Sequence, residues 1–184
     1  RKFLEKFKNE FWLDLKINDI PQTASAAVDS LKDLKKCKYI TVHASSGLEM
    51  LKLVKKKAKK INKNLKILGV TVLTSLNDKS LKQIGHTKKI KQLVLKQADL
   101  IKKSHCDGIV CSAQEAAVVR KKYKNLLIIT PGIRLPGDSA NDQSRVMTPR
   151  DAFKNKVSGI VIGRSLIKGN IKNNTKRLID HLNK

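Results

Sequence analysis

At 184 residues, 40% of them hydrophobic, the chain has the size and apolar content of one domain that buries its core without disulfides or metals. No apolar run approaches the roughly 20 residues that span a bilayer, and charges interrupt Arg1-Lys2-Phe3-Leu4-Glu5-Lys6 too often for a signal peptide. The net charge of +25 suggests a polyanion, but the lysines are spread over solvated helix faces and aromatic residues that could stack on bases are few, at 4%, so nucleic acid is not the expected partner.

In chain order, residues 1–9 read as the tail of a helix, and the chain does not begin with Met, so further units are expected upstream. Strands are predicted at 10–15, 39–43, 66–73, 108–111, 126–130 and 159–162, in nearly continuous apolar runs that suit parallel strands buried on both faces. Helices are predicted between them, at 24–34, 48–61, 88–103, 114–122 and 149–155, with a last one at 171–182. Ile90, Leu93, Val94, Ala98 and Ile101 share one helix face, and Thr148-Pro149 reads as an N-cap followed by Pro at N1. Repeated β-α units imply a parallel sheet. No G-x-G-x-x-G follows a strand, and polar residues stand at nearly every strand's carboxyl end: Asp14 and Lys16, His43, Thr74, Ser112, Arg134, then Gly163 and Arg164. That pattern predicts an α/β fold of the TIM (β/α)8-barrel type, with about six of the eight units in a single domain over 1–184 and the first two strands absent.

Three features could carry chemistry. Asp14, Lys16 and Asp19 place charges on and just after the first strand, where i and i+2 share a face and would look into a barrel mouth that resists charge unless it pairs or works. Thr130-Pro131-Gly132-Ile133-Arg134 leads into a loop rich in turn residues, of the length typical of a lid. Gly163-Arg164 ends the last strand, where barrels commonly hold phosphate, and arginine in so lysine-rich a chain suggests a bidentate contact. His43, Ser112 and Cys111 are weaker candidates, with no nucleophile elbow beside them. Cys37, Cys106 and Cys111 are odd in number and lack metal spacing, so reduced buried thiols in a cytoplasmic protein are expected, and no metal.

Asp14-Leu15-Lys16-Ile17-Asn18-Asp19-Ile20-Pro21-Gln22-Thr23 resembles the D-x-K-x-x-D-I-x-x-T signature of orotidine 5′-phosphate decarboxylases. The likeness continues through Val42-His43-Ala44, Val70-Thr71-Val72-Leu73-Thr74-Ser75, Asp107-Gly108-Ile109-Val110-Cys111-Ser112, Thr130-Pro131-Gly132-Ile133-Arg134, Asp142-Gln143-Ser144-Arg145-Val146-Met147-Thr148-Pro149 and Ile162-Gly163-Arg164. The resemblance implies decarboxylation of orotidine 5′-phosphate to uridine 5′-phosphate, the last step of pyrimidine nucleotide synthesis, without metal or organic cofactor. It implies that Lys16 donates a proton to C6 and that Asp14 lies beside the substrate carboxylate. Asp19 and Thr23 would reach the neighbouring site of a homodimer, and Thr74 would lie near the pyrimidine. Gln143, Gly163 and Arg164 would hold phosphate, with Arg134 anchoring the lid that carries Gln143.

The family also uses an aspartate on its first strand and a lysine on its second, and neither strand is in the sequence. These 184 residues alone are therefore expected to be poorly active or unstable. Two other readings stay open: a related phosphosugar decarboxylase such as a 3-keto-gulonate-6-phosphate decarboxylase, which shares the D-x-K-x-x-D strand, and an inactive remnant. The Pro131-Gly132-Ile133-Arg134 segment followed by Gln143 argues against the first.

Overall fold

A computed structural model describes residues 1–139 and 145–183. In chain order the described elements are α1 (Lys2–Glu5), β1 (Phe11–Ile17), α2 (Pro21–Asp29), β2 (Cys37–His43), a 3-10 turn (Ala44–Ser46), α3 (Leu48–Ile61) and β3 (Lys66–Val70). Then follow α4 (Asp78–Gln83), α5 (Ile90–Lys103), β4 (Gly108–Val110), α6 (Ala113–Lys122), β5 (Leu127–Thr130), α7 (Pro149–Lys154), β6 (Gly159–Ile160), α8 (Arg164–Ile167) and α9 (Ile171–Asn183). The strands are hydrogen-bonded in the order β1-β2-β3-β4-β5-β6. A doubly wound sheet would reverse that order at a switch point. The unbroken chain order is that of the TIM (β/α)8 barrel, of which six strands are described.

The backbone forms two compact units, Arg1–Thr71 with Lys96–Ile109, and Val72–Leu95 with Val110–Lys184. In the first, Ile40, Val42, Ile67 and Leu68 are fully buried strand residues, and α3 lays Met50, Leu51, Val54 and Ala58 on the core side while Lys52, Lys56, Lys59 and Lys60 are exposed. Gly69 permits close approach of a helix: a Cβ there would stand 2.4 Å from Ile101 Cδ1 and Cγ1. Asp107 ties two elements of this unit together. Its Oδ2 accepts from Ile67 N at 2.8 Å and from Lys55 Nζ at 2.6 Å, joining the start of β3 to α3.

Several elements differ from the sequence expectation for identifiable reasons. Helix α2 starts at Pro21 because proline is accommodated at the first helical position. It ends at Asp29, after which i+3 bonds such as Leu31 N to Val28 O and Lys32 N to Asp29 O replace the α pattern. Strand β3 stops at Val70 rather than 73, because the Val72 and Leu73 carbonyls accept instead from the Arg145 guanidinium at 3.2 and 3.0 Å. Helix α4 was not expected. A reciprocal cap makes it, with Asn77 Oδ1 accepting from Ser80 N at 3.0 Å and Ser80 Oγ accepting from Asn77 N at 2.8 Å.

All three cysteines are free and buried. Burial is the largest cause that pushes the Cys106 thiol up to about 11 and the Cys111 thiol up to about 12. The thiolate is the reactive form, so the folded protein should not react with a disulfide reagent at pH 8 at the rate of an exposed thiol, and denaturant should release three thiols from this chain. Rapid titration of Cys106 or Cys111 in the native state would contradict the burial.

Candidate active site

In the first unit, β1 and β2 run parallel with Leu13 opposite Ile40 and Ile17 opposite Val42. Asp14, Leu15 and Lys16 therefore stand opposite Thr41 alone, a bulge that re-aims the side chains it carries. Lys16 has φ +48°, a left-handed conformation unusual for a residue with a side chain. The expectation of a regular strand with Asp14 and Lys16 on one face holds only in its result. The bulge brings Lys16 Nζ to 2.6 Å from Asp14 Oδ2, both side chains being about half exposed. Thr41 Oγ1 donates to Asp14 Oδ1 at 2.7 Å and accepts from Lys16 N at 2.9 Å.

His43 ends β2. Burial first, then the Lys16 ammonium, holds its imidazole below the ordinary value of 6.5, against a smaller opposing pull from Asp14. The loop after β1 is tied to the 3-10 turn by Ser46 Oγ donating to Asn18 Oδ1 at 2.5 Å. Asp19 and Thr23 are exposed on the approach to α2 and in its first turn. Asp19 Oδ1 accepts from Ile20 N at 2.7 Å.

The second unit holds the remaining predicted residues. Thr74 is buried. Arg134 is buried just after β5, where its Nε donates to Ser139 O at 3.1 Å and its backbone N to Met147 O at 3.1 Å. It thus clasps the chain on both sides of residues 140–144. Gln143 lies outside the described residues. Gly163 caps α8, and a Cβ there would meet nothing within 4 Å, so its backbone faces open space. A cavity of about 290 Å³ is lined by Arg134, Ser139, Arg164, Lys168, Asn174 and Arg177, a strongly basic set. Asp138 partly offsets it by pairing with Arg177 at 3.0 Å. A hydrogen bond from Ser165, followed by that guanidinium, holds the Asp138 carboxyl below its ordinary value.

Sequence reasoning missed two contributors. Thr41, a hydroxyl between the buried apolar residues Ile40 and Val42, is fully buried, and that local interruption was the available signal. The other is the buried pair of Arg145 Nη1 and Glu115 Oε2, 2.8 Å apart. Glu115 sits in the first turn of α6, where an acid has the ordinary explanation of the helix dipole, and nothing in the sequence singled it out. Ser112 proves to be the N-cap of α6, accepting from Gln114 N at 3.3 Å. Arg120 donates to the carbonyls of Lys124, Leu126 and Lys156.

Residues 2–177 match the Orotidine 5'-phosphate decarboxylase / HUMPS family. The orotidine 5'-phosphate decarboxylase of Coxiella burnetii is 42% identical over 158 residues, covering 84% of this chain and 66% of that relative. The one from Carboxydothermus hydrogenoformans is 41% identical over 174 residues, covering 90% of this chain and 72% of the relative. Among solved structures, the orotidine 5'-phosphate decarboxylase from Lactobacillus acidophilus superposes with a TM-score of 0.80 at 30% identity, over 95% of this chain and 76% of that one. The chain thus spans about two thirds of the length of the Coxiella relative. With the ordered strands, the Asp14-Lys16 bulge and matches of this extent, the chain belongs to the Orotidine 5'-phosphate decarboxylase / HUMPS family.

Proposed function

We propose that the protein is a carbon-carbon lyase that converts orotidine 5′-phosphate to uridine 5′-phosphate and carbon dioxide, the last step of pyrimidine nucleotide synthesis. The observation that carries this reading is the Lys16 ammonium fixed 2.6 Å from the Asp14 carboxylate on a bulged strand, in a chain of this family. The bond from C6 to the carboxylate carbon breaks, carbon dioxide departs, and the bonding electron pair stays at C6. A fixed ammonium beside that carbon stabilises the charge without reorganisation, and transfer of a proton from Lys16 Nζ completes the product. Solvent then reprotonates the amine. Asp14 orients Lys16 and stands beside the departing carboxylate. Once substrate excludes water from this half-exposed pair, the fields of both charges strengthen.

Thr74 is assigned to the pyrimidine, and Gly163, Arg164 and Gln143 to the phosphate, with Arg134 as an anchor. The basic lining of the cavity beside Arg164 and the open backbone at Gly163 support an anion there. Arg164→Ala should weaken uridine 5′-phosphate binding by about 1.5–3 kcal/mol, roughly 10- to 150-fold in Kd by calorimetry. Undiminished binding would remove Arg164 from the phosphate site. Asp19 and Thr23 are assigned to the second site of a homodimer. Their exposure, and that of apolar Leu15 and Ile20 beside them, supports a partner surface there. The free, buried cysteines suit the reducing cytoplasm.

The test is thermal stabilisation of protein expressed from the complete gene. Uridine 5′-phosphate at about 100 Kd should add about 2.7 kcal/mol and raise Tm by roughly 5–10 °C, while a pentulose phosphate should not. The reverse preference would move the protein to phosphosugar chemistry within the same barrel superfamily.

A further inference from the structure

Between the pairs Leu13–Ile40 and Ile17–Val42, β2 supplies a single residue, Thr41, to face Asp14, Leu15 and Lys16. Extra residues in a strand leave backbone groups without their ladder partners, and something must satisfy them. Here it is one hydroxyl. Thr41 Oγ1 accepts from the Lys16 amide at 2.9 Å and donates to Asp14 Oδ1 at 2.7 Å, while Asp14 Oδ2 takes Lys16 Nζ at 2.6 Å. The three contacts close a loop from the Lys16 backbone through Thr41 and Asp14 to the Lys16 side chain. The loop constrains both ends of a long, flexible side chain whose φ of +48° would otherwise relax toward the strand region. Thr41 is itself immobile: it is fully buried, its χ1 is stiff because it is β-branched, and Ile40 and Val42 on either side are buried too.

We infer that Thr41 is a positioning residue for the decarboxylation, holding the Lys16 ammonium and the Asp14 carboxylate in the geometry the reaction uses. This inference rests on the proposed decarboxylase function for its kinetic consequence but not for its structural one. A purely structural hydroxyl is the competing view, and the two separate cleanly. Valine matches threonine in shape, so Thr41→Val keeps the packing while deleting both hydrogen bonds; Thr41→Ser keeps the bonds while deleting a methyl group.

Protein expressed from the complete gene, wild type and variants, would be assayed for kcat and KM with orotidine 5′-phosphate, and amide exchange at Lys16 would be followed by NMR. Misplacement of a reacting group by about 1 Å costs on the order of 100-fold, so Thr41→Val should lower kcat about 100-fold with KM within about threefold of wild type. Exchange of the Lys16 amide should quicken at least about tenfold as its acceptor disappears. Thr41→Ser should return both readouts to within about threefold of wild type. Should Thr41→Val fail to fold, Thr41→Ala carries the same comparison against serine. The inference is overturned if the valine variant keeps wild-type kcat, or if serine and valine lose activity equally, since packing would then be the cause. A wild-type protein without decarboxylase activity would instead sink the proposed function, and Lys16 exchange in the valine and serine variants would still decide whether Thr41 holds the bulge.

Discussion

Lys16→Ala should abolish measurable turnover of orotidine 5′-phosphate while leaving the protein folded. Two losses combine: a fixed charge at the carbanion is worth about 10²–10³, and a positioned proton donor about 10²–10⁴. The expected fall in kcat is therefore about 10⁴-fold or more, with KM changed far less, because the ammonium acts where charge develops during reaction. Stability should change by less than about 1 kcal/mol, since the Lys16–Asp14 pair is about half exposed and such pairs contribute little to folding. Lys16→Arg should not restore the rate, because a guanidinium holds its protons too tightly to deliver one to carbon. A Lys16→Ala protein that keeps kcat within about tenfold of wild type would remove Lys16 from the chemistry.

Arg145→Met should be the most destabilising single change at a position outside the proposed chemistry. The Arg145 and Glu115 side chains are only 7% and 9% exposed, and the guanidinium also supports the Val72 and Leu73 carbonyls. Removing one partner of a buried pair leaves the other charge uncompensated, at about 3–5 kcal/mol, or roughly 6–20 °C in Tm for a chain of this size. The penalty should depend on pH with a definite sign. Burial already raises the Glu115 carboxyl above its ordinary value of 4.5 despite the opposing pull of Arg145, and loss of Arg145 raises it further. The folded variant then holds a proton that the unfolded chain releases, so its stability falls as pH rises from about 4.5 toward neutrality. Denaturation at pH 5 and pH 8 should give the smaller deficit at pH 5, and adding Glu115→Gln should recover part of the loss. A deficit independent of pH would mean that the lost carbonyl contacts, rather than the stranded carboxylate, dominate.

The alternation of apolar runs with amphipathic helices carried enough information to place all six described strands and their order, because buried parallel strands and lysine-faced helices differ in period. Strand β1, which carries Asp14 and Lys16, was legible in composition but not in geometry. Asp14 and Lys16 do meet, but through a bulge whose positive φ falls on a lysine, where no glycine signals it. Thr41 lies on the next strand, and its role depends on a register that sequence periodicity does not supply. The arginines teach a similar lesson. Lysine serves for charge throughout the chain, whereas Arg120, Arg134 and Arg145 each use the planar fork to bind backbone carbonyls. Arg164 is exposed, whereas these three buried or carbonyl-bound arginines hold the fold.

Orotidine 5′-phosphate labelled at its carboxylate carbon, supplied to protein expressed from the complete gene with 3-keto-gulonate 6-phosphate as the competing substrate, tests the proposed decarboxylation. The expected result is labelled carbon dioxide appearing in equal amount with uridine 5′-phosphate, without added metal or cofactor, and no product from the sugar phosphate. Decarboxylation of the sugar phosphate with orotidine 5′-phosphate left intact would contradict it.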